Sequence, residues 1–364
     1  MGIKDFSKTF NHNRVVKWRD LKGKTIAIDT MTELYRASLG TKNTKLLTDS
    51  NGNPTIHISV ILSNIIEIQS NNIDAIWVFD FDQNSSDSKE FHNPAKLVEI
   101  RERRERREKA RVEIEELENK EVLFSDSDEE EIHKNNKQNK INQLEKRTFR
   151  IDQEQINEIK LILNFLHIKY VESPEGFEGE HIAAYLSSNN MVDGVYSGDT
   201  DPIPFGAKVL YRKNARDKKI YEYKQYDILE QLSASNSNIE NPTLQDIQKA
   251  CSLLGSDFSK RTRGVGPKTI LKKMNTIELT EDQKIAMVEF NKQPNMSDIK
   301  INNEDKKIFT NCDIDNLLDW LVDEKSFTRQ RVQNWFNKIV VKDSDGNYKP
   351  KEVSEVINKK KKKK

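Results

Sequence analysis

The stretch Lys24-Thr-Ile-Ala-Ile-Asp29, taken with Asp74-Ala-Ile-Trp-Val-Phe-Asp80, decides the fold. Each is a short apolar run entering an aspartate, which reads as a buried strand ending in an acid. Between them, residues 55–70 place apolar side chains at helical spacing. Strand, helix and strand in that order predict a crossover unit and an α/β protein: a mainly parallel twisted sheet flanked by helices. The alternation resumes after residue 150. A helix is expected over 153–167, a short strand at Lys169-Tyr-Val and a helix over 181–189. Strands follow at Gly194-Val-Tyr-Ser and at Ala207-Lys-Val-Leu-Tyr. Residues 244–274 read as a helix, a turn with two glycines and a second helix.

Charge is unevenly placed. The 364 residues hold 60 Lys and Arg against 59 Asp and Glu, a formal net charge of +1, which excludes a uniformly basic coat. Six terminal lysines, Lys359–Lys364, mask an otherwise acidic chain. Residues 96–109 carry seven basic and four acidic side chains, 113–131 ten acidic against Lys120, and 134–150 six basic against Glu145. Such blocks make either a solvated insertion or a projecting helical element that meets a polyanion. The run SDSDEEE at 125–131 is expected to be a solvated loop, with phosphorylation or a basic partner as sharper readings. The chain therefore divides into an N-terminal region (1–84), a charged insertion (85–150), an internal region (151–340) and a Lys-rich disordered tail (341–364).

Several classes fall away. No window approaches eighteen consecutive apolar residues, so no membrane span is expected, and the first residues lack a signal-peptide core. Gly2 is no myristoylation site, because Phe6 stands where the motif wants Ser or Thr. Cys251 and Cys312 are too few for a disulfide framework or a four-thiolate zinc site. The expectation is a reduced, intracellular protein.

Acids at strand ends carry the chemistry. Asp29 and Asp80 each close a strand, and any single one has an N-cap or turn reading that is the better bet. Pairs change the case: Glu178-x-Glu180 and Asp199-x-Asp201 place two carboxylates on one face of an extended chain. In open α/β sheets the ligand crevice lies outside the carboxyl ends of the strands. Crowded carboxylates raise one another's pKa, a cost a divalent cation removes, and an oxygen-only set suits magnesium or manganese rather than zinc. Two such ions about 3.5–4 Å apart form the usual device for in-line displacement at a phosphodiester. Gly255-Ser-Asp257 and Arg263-Gly-Val-Gly-Pro-Lys268 then join two helical patterns, in a segment holding Lys260, Arg261, Arg263, Lys268, Lys272 and Lys273. A glycine turn with basic flanks favours a nucleic-acid backbone, although such turns are often only solvated surface.

These motifs, in this order, resemble the flap endonucleases of the XPG-type 5′ nuclease superfamily. Met1-Gly-Ile3, Ala27-Ile-Asp29, Val78-Phe-Asp80, Phe177-Glu178-Gly-Glu180, Ser197-Gly-Asp199-Thr-Asp201, Leu253-Leu-Gly-Ser-Asp257 and Gly264-Val-Gly-Pro-Lys268 carry the resemblance over roughly residues 1–275. A weaker likeness continues through Asp319–Thr328. The resemblance implies Asp29, Asp80, Glu178, Glu180, Asp199, Asp201 and Asp257 as direct or water-mediated holders of two Mg2+ ions, with Mn2+ a substitute. It makes the insertion a helical arch whose Lys96 and Arg103 steer the scissile phosphate, with Arg101 and Arg104 as competitors. It implies DNA contacts at Gly2, Tyr35, Arg263, Gly264, Gly266, Lys268 and Lys272, a helix–two-turn–helix on the duplex, and a K+ ion held there by backbone carbonyls. Tyr35 has an equal reading as a core aromatic. Pro202 and Pro204 depart from the pattern and predict a bend. No sliding-clamp peptide is recognisable, since Gln333 stands where an aliphatic residue is wanted and Trp335-Phe336 is out of register.

The expectation is a Mg2+-dependent, structure-specific 5′ nuclease acting on flapped or gapped duplex DNA. It would act as a monomer, in the nucleus or wherever DNA is replicated, in the cytoplasm if viral. The alternatives are a 5′→3′ exonuclease or junction resolvase on the same core, a non-catalytic DNA-binding scaffold, and an RNA-directed nuclease.

Overall fold

Period-two alternation along the central strands separates two hydrophobic clusters, one on each side of a sheet. Ile26, Ile28, Trp77, Phe79, Tyr196 and Tyr211 join one cluster, while their neighbours Ala27, Ile76, Val78, Val195 and Leu210 join the other. The computed structural model describes residues 2–39, 48–81, 94–119, 127–148, 150–236, 238–303, 310–342, 344 and 346–350.

Strands β1 (Arg14–Val16), β2 (Thr25–Asp29), β3 (Asp74–Phe79), β4 (Tyr170–Glu172), β5 (Gly194–Ser197), β6 (Val209–Lys213), β7 (Ile220–Lys224) and β8 (Ile301–Asn302) form one sheet. Its order is β1-β7-β6-β5-β2-β3-β4-β8. The pairings from β6 through β5, β2 and β3 to β4 are parallel. Those that add β7, β1 and β8 at the edges are antiparallel. The parallel α/β expectation therefore holds for the centre, where both faces are covered and strands are apolar throughout. The antiparallel edges were not expected; β1 and β7 are polar strands such as Arg-Val-Val and Ile-Tyr-Glu-Tyr-Lys, with little apolar signal.

The first helices are α1 (Phe6–Thr9), α2 (Thr30–Leu39), α3 (Ile56–Gln69), α4 (Pro94–Asn119), α5 (Ser127–Thr148) and α6 (Gln153–Phe165). They are followed by α7 (Gly179–Ser188), α8 (Gln225–Ser235), α9 (Leu244–Leu254), α10 (Pro267–Lys273), α11 (Glu281–Asn291), α12 (Asn311–Asp319) and α13 (Arg329–Ile339). Ile61 of α3, Ile162 of α6, Leu317 of α12 and Val332 of α13 pack on one face. Phe6, Ile182 of α7, Ile228 of α8, Leu253 of α9, Ile270 of α10 and Phe290 of α11 pack on the other. Burying apolar surface at about 25 cal/mol per Å2 is what holds these layers together.

The charged insertion is an antiparallel helical pair. Lys140 of α5 pairs with Glu113 of α4 at 2.7 Å, and Lys137 donates to the Glu118 carbonyl at 3.3 Å. Among the described side chains a thin seam, with Ala110, Ile141 and Leu144 buried, is apolar. The acidic run differs from the loop expected of it: from Ser127 onward it opens α5. Carboxylates at a helix N-terminus face the positive end of the dipole, which favours helix there. Ser125 and Asp126 lie outside the described residues.

Ordered chain also runs past the boundary placed at 341. Strands β9 (Val340–Lys342) and β10 (Tyr348–Pro350) pair antiparallel, with Tyr348 packed on the core and the Lys342 ammonium 4.5 Å from its ring. Two valines and a tyrosine give this hairpin an anchor the polar composition hid. The lysine run lies outside the described residues. Gln330 to Phe336 belong to α13, whose Trp335 and Phe336 are buried in the core.

Candidate active site

Parallel strands deliver their carboxyl ends to one edge of the sheet, and the acids collect there. Asp29 closes β2 in register with Val78 of β3, and Asp80 is the second residue beyond it. The Asp29 carboxylate caps α2, accepting from the Thr32 backbone N–H at 3.0 Å, so the N-cap reading and the site reading apply to the same side chain. Its second oxygen accepts from the Ser197 hydroxyl at 2.8 Å, and that hydroxyl in turn accepts from the Asp199 N–H at 3.0 Å. Ser197 thus ties two acids into one frame. Its place two residues before Asp199, at a strand end, was the signal available in the sequence.

Helix α7 brings the glutamate pair. Glu178 stands at its N-cap position and Glu180 in its first turn, and the Gly179 N–H donates to Asp80 Oδ1 at 2.7 Å. Asp201 is buried beside the turn over 201–206, where the Phe205 N–H bonds the Asp201 carbonyl and Gly206 takes φ 102°, the bend the two prolines predict. His181 packs in an aromatic cluster, its ring 3.7 Å from that of Phe205.

The electrostatics record the crowding. Burial pushes the Glu180 carboxyl well above the usual range, and Asp199, Asp201, Asp29 and Glu178 add to the rise. Asp29 is raised by burial, with Asp199 adding to it, against hydrogen bonds from Thr32 and Ser197. Asp199 is raised by burial with help from Asp257. Six of the seven acids thus interact directly, and Asp80 joins them through Gly179. Among the described residues no group of three or more His, Cys, Asp or Glu is close enough to hold an ion as it stands. Crowded like charges repel, so the fit to divalent cations lies in the donor chemistry: oxygen donors only, mutually repelling, gathered at one edge of the sheet.

Basic groups border the acids. Arg103 of α4 donates to Asp257 at 3.2 Å, joining residues 154 apart in the chain. Arg101 and Arg104 are exposed on the same helix. Lys96 lies in the first turn of α4, and its side chain is outside those described. Arg107 was missed; it follows Arg103 at i+4 and bonds its carbonyl, and burial holds its guanidinium below the ordinary range. Arg212 was missed too. It reaches the Gly198 carbonyl at 3.2 Å and Ser7 at 2.7 Å, and its charge draws Asp199 downward. Tyr35 is half-buried against the core, which supports its packing reading.

Gly2 packs against the aspartate pair. At φ +83° it lies so close to Asp199 that a Cβ would stand 1.5 Å from the carboxylate oxygen. The next residue, Ile3, donates its N–H to Thr200 Oγ1 at 2.9 Å. The chain's start therefore seats the aspartate pair. In the second basic element, Gly264 takes φ +76° with open space around it, and Arg263, Lys268 and Lys272 are exposed nearby. Gly266 is the N-cap of α10, whose seven residues make a short dipole, so the side-chain charges dominate there.

Acids clustered at the carboxyl edge of a parallel sheet, with Arg103 of a charged helical pair on one of them, define a class: α/β nucleases of the acidic-cluster type. Residues 1–110 match the XPG N-terminal domain family and residues 167–257 the XPG I-region. Flap endonuclease 1 of Yarrowia lipolytica is 30% identical over 368 residues, spanning 92% of this chain and 87% of that protein. Flap endonuclease 1 of Picrophilus torridus is 28% identical over 356 residues, spanning 93% and 95%. The fold is similar to that of flap endonuclease-1 from Methanococcus jannaschii, with a TM-score of 0.61 at 22% identity over 89% of this chain and 94% of that one. It is also similar to the catalytic core of Rad2 in complex with DNA substrate, with a TM-score of 0.60 at 16% identity over 92% and 99%. The chain belongs to the flap endonucleases of the XPG superfamily.

Proposed function

We propose that the chain hydrolyses phosphodiester bonds at 5′ flaps or gaps in duplex DNA, as a structure-specific 5′ nuclease of replication, repair or recombination. The observation that carries this reading is the joining of the acid cluster to the helical pair through Arg103 and Asp257. Asp29, Asp80, Glu178, Glu180, Asp199, Asp201 and Asp257 would hold two Mg2+ ions, or Mn2+ in their place. Bound there, the ions would supply an activated water and neutralise charge at the phosphodiester.

The chain's own residues do the rest. The Ser197 hydroxyl orients Asp29, and the Thr200 N–H donates to Asp199 Oδ1 at 2.7 Å and orients that carboxylate. Arg103, with Lys96, Arg101 and Arg104 along the same helix, would draw the scissile phosphate toward the acids while α4 and α5 form the arch. Arg263, Lys268 and Lys272 would hold the duplex by its phosphates, contacts that position rather than specify. On this reading the protein works as a monomer, wherever DNA is replicated.

A gel assay with flapped, nicked, gapped and four-way DNA, in Mg2+ or EDTA, tests the proposal. Cleavage of the flapped or gapped forms in Mg2+ alone is expected. Cleavage in EDTA, or of none of the four in Mg2+, would contradict it.

A further inference from the structure

The resemblance implies a potassium ion among the carbonyls of the turn between α9 and α10, and the residues in this chain do not fit one. The Val265 carbonyl accepts from both Nε and Nη2 of Arg261, each at 3.2 Å. The Thr262 carbonyl accepts from the Val265 N–H, and the Gly266 carbonyl from the N–H groups of Thr269 and Ile270. Three of the turn's acceptors are thus engaged. A guanidinium on one of them puts a fixed positive charge where a second cation would be repelled.

Arg261 is held in that place from every side. Its remaining nitrogen, Nη1, donates to Asp5 Oδ2 at 2.7 Å. Its backbone passes so close to Gly255 that a Cβ there would meet the Arg261 nitrogen at 2.8 Å, and Gly255, at φ +93°, accepts the Lys4 N–H at 3.0 Å. Helix α11 pins both neighbours: Asp282 accepts the Lys260 N–H at 2.8 Å, and Gln283 donates to the Lys260 carbonyl and to Thr262 Oγ1. The planar fork therefore meets carbonyl and carboxylate without having to be ordered first.

We infer that Arg261, anchored by Asp5, is the built-in cation of the helix–two-turn–helix, so that this turn is organised without a monovalent metal ion. The same contact ties the turn to the N-terminal segment whose Gly2 and Ile3 seat Asp199 and Thr200, linking the duplex-holding element to the acid cluster. The DNA-binding part of the inference rests on the nuclease reading; the ion-binding part does not.

Two measurements decide it, each in KCl and in tetramethylammonium chloride at equal concentration. In thermal unfolding, the wild type is expected to show the same midpoint in both salts. The R261Q variant, with the carbonyl opened, is expected to unfold at a lower midpoint and to regain part of the loss in KCl alone. In fluorescence anisotropy with flapped DNA in EDTA, wild-type affinity should match between salts, while R261Q should bind roughly tenfold more weakly, with partial rescue by KCl. D5N, which keeps the guanidinium but removes its anchor, should show a smaller loss in the same direction, and it serves if R261Q does not fold. A KCl-specific gain in the wild-type midpoint, or variant losses equal in both salts, would overturn the inference. Absence of flap binding in every salt would instead contradict the nuclease reading and leave the unfolding arm to decide.

Discussion

The sheet's carboxyl edge and the α4–α5 pair are both dense in charge, yet they are built in opposite ways. At the sheet edge, carboxylates of one sign are forced together by strands buried on both faces, and burial drives Glu180 and Asp199 upward. On the helical pair both signs are present in blocks, most described side chains meet water, and ion pairs such as Lys140–Glu113 cost little to form or break. One region holds like charges in a buried frame; the other leaves most of its charge in water. Like charges gathered by core packing indicate a ligand of opposite sign, whereas mixed charges on a solvated helix do not.

The contrast can be broken by substitution. Ile162→Ala, in the fully buried layer beneath β2 and β3, is expected to cost about 2–5 kcal/mol in chemical denaturation, while the exposed Val112→Ala on α4 should stay within about 0.5 kcal/mol. Equal costs would mean the helical pair is part of the rigid core. The link between the regions is sharpened by Arg103→Ala. Its loss should lower flap cleavage in Mg2+ about 100-fold while flap affinity changes only severalfold, because one charge near the acids is removed and most phosphate contacts stay. An unchanged rate would separate the hairpin from the chemistry.

The smallest effect concerns a charge that packing does satisfy. Burial raises the Glu158 carboxyl, but hydrogen bonds from His57 and Lys325 outweigh it and hold the group below the usual range. A depressed pKa contributes stability that is present above the unfolded value and is lost as pH falls through the folded one. Glu158→Gln should therefore cost about 1 kcal/mol at neutral pH, shrinking toward zero in strong acid. Denaturant titrations across that range check it; a constant difference would exclude the ion pair as its source.

Most of the fold's centre was legible because an apolar run with no polar residue has few places to go. The segments 24–29 and 74–80 became β2 and β3, and 55–70 became α3. The edges were not legible, since β1 is a three-residue strand whose partner β7 lies some two hundred residues away, and neither is an unbroken apolar run. The same divide runs through the site. Six of the acids could be singled out by place at a strand end or in a pair, while Asp257, which follows helix α9, came only from the resemblance. Ser197 on Asp29, Arg103 on Asp257, Gly2 against Asp199 and Arg261 on Asp5 are contacts between distant segments, and spacing does not encode them.

The central claim is that the acid cluster, with Arg103 beside it, serves the chemistry, while the remaining basic side chains serve binding. Asp199→Ala tests it most directly, with cleavage and affinity for flapped DNA measured on the same protein. The account predicts loss of Mg2+-dependent cleavage by at least about 1,000-fold with flap affinity largely intact. Cleavage at the wild-type rate would contradict it.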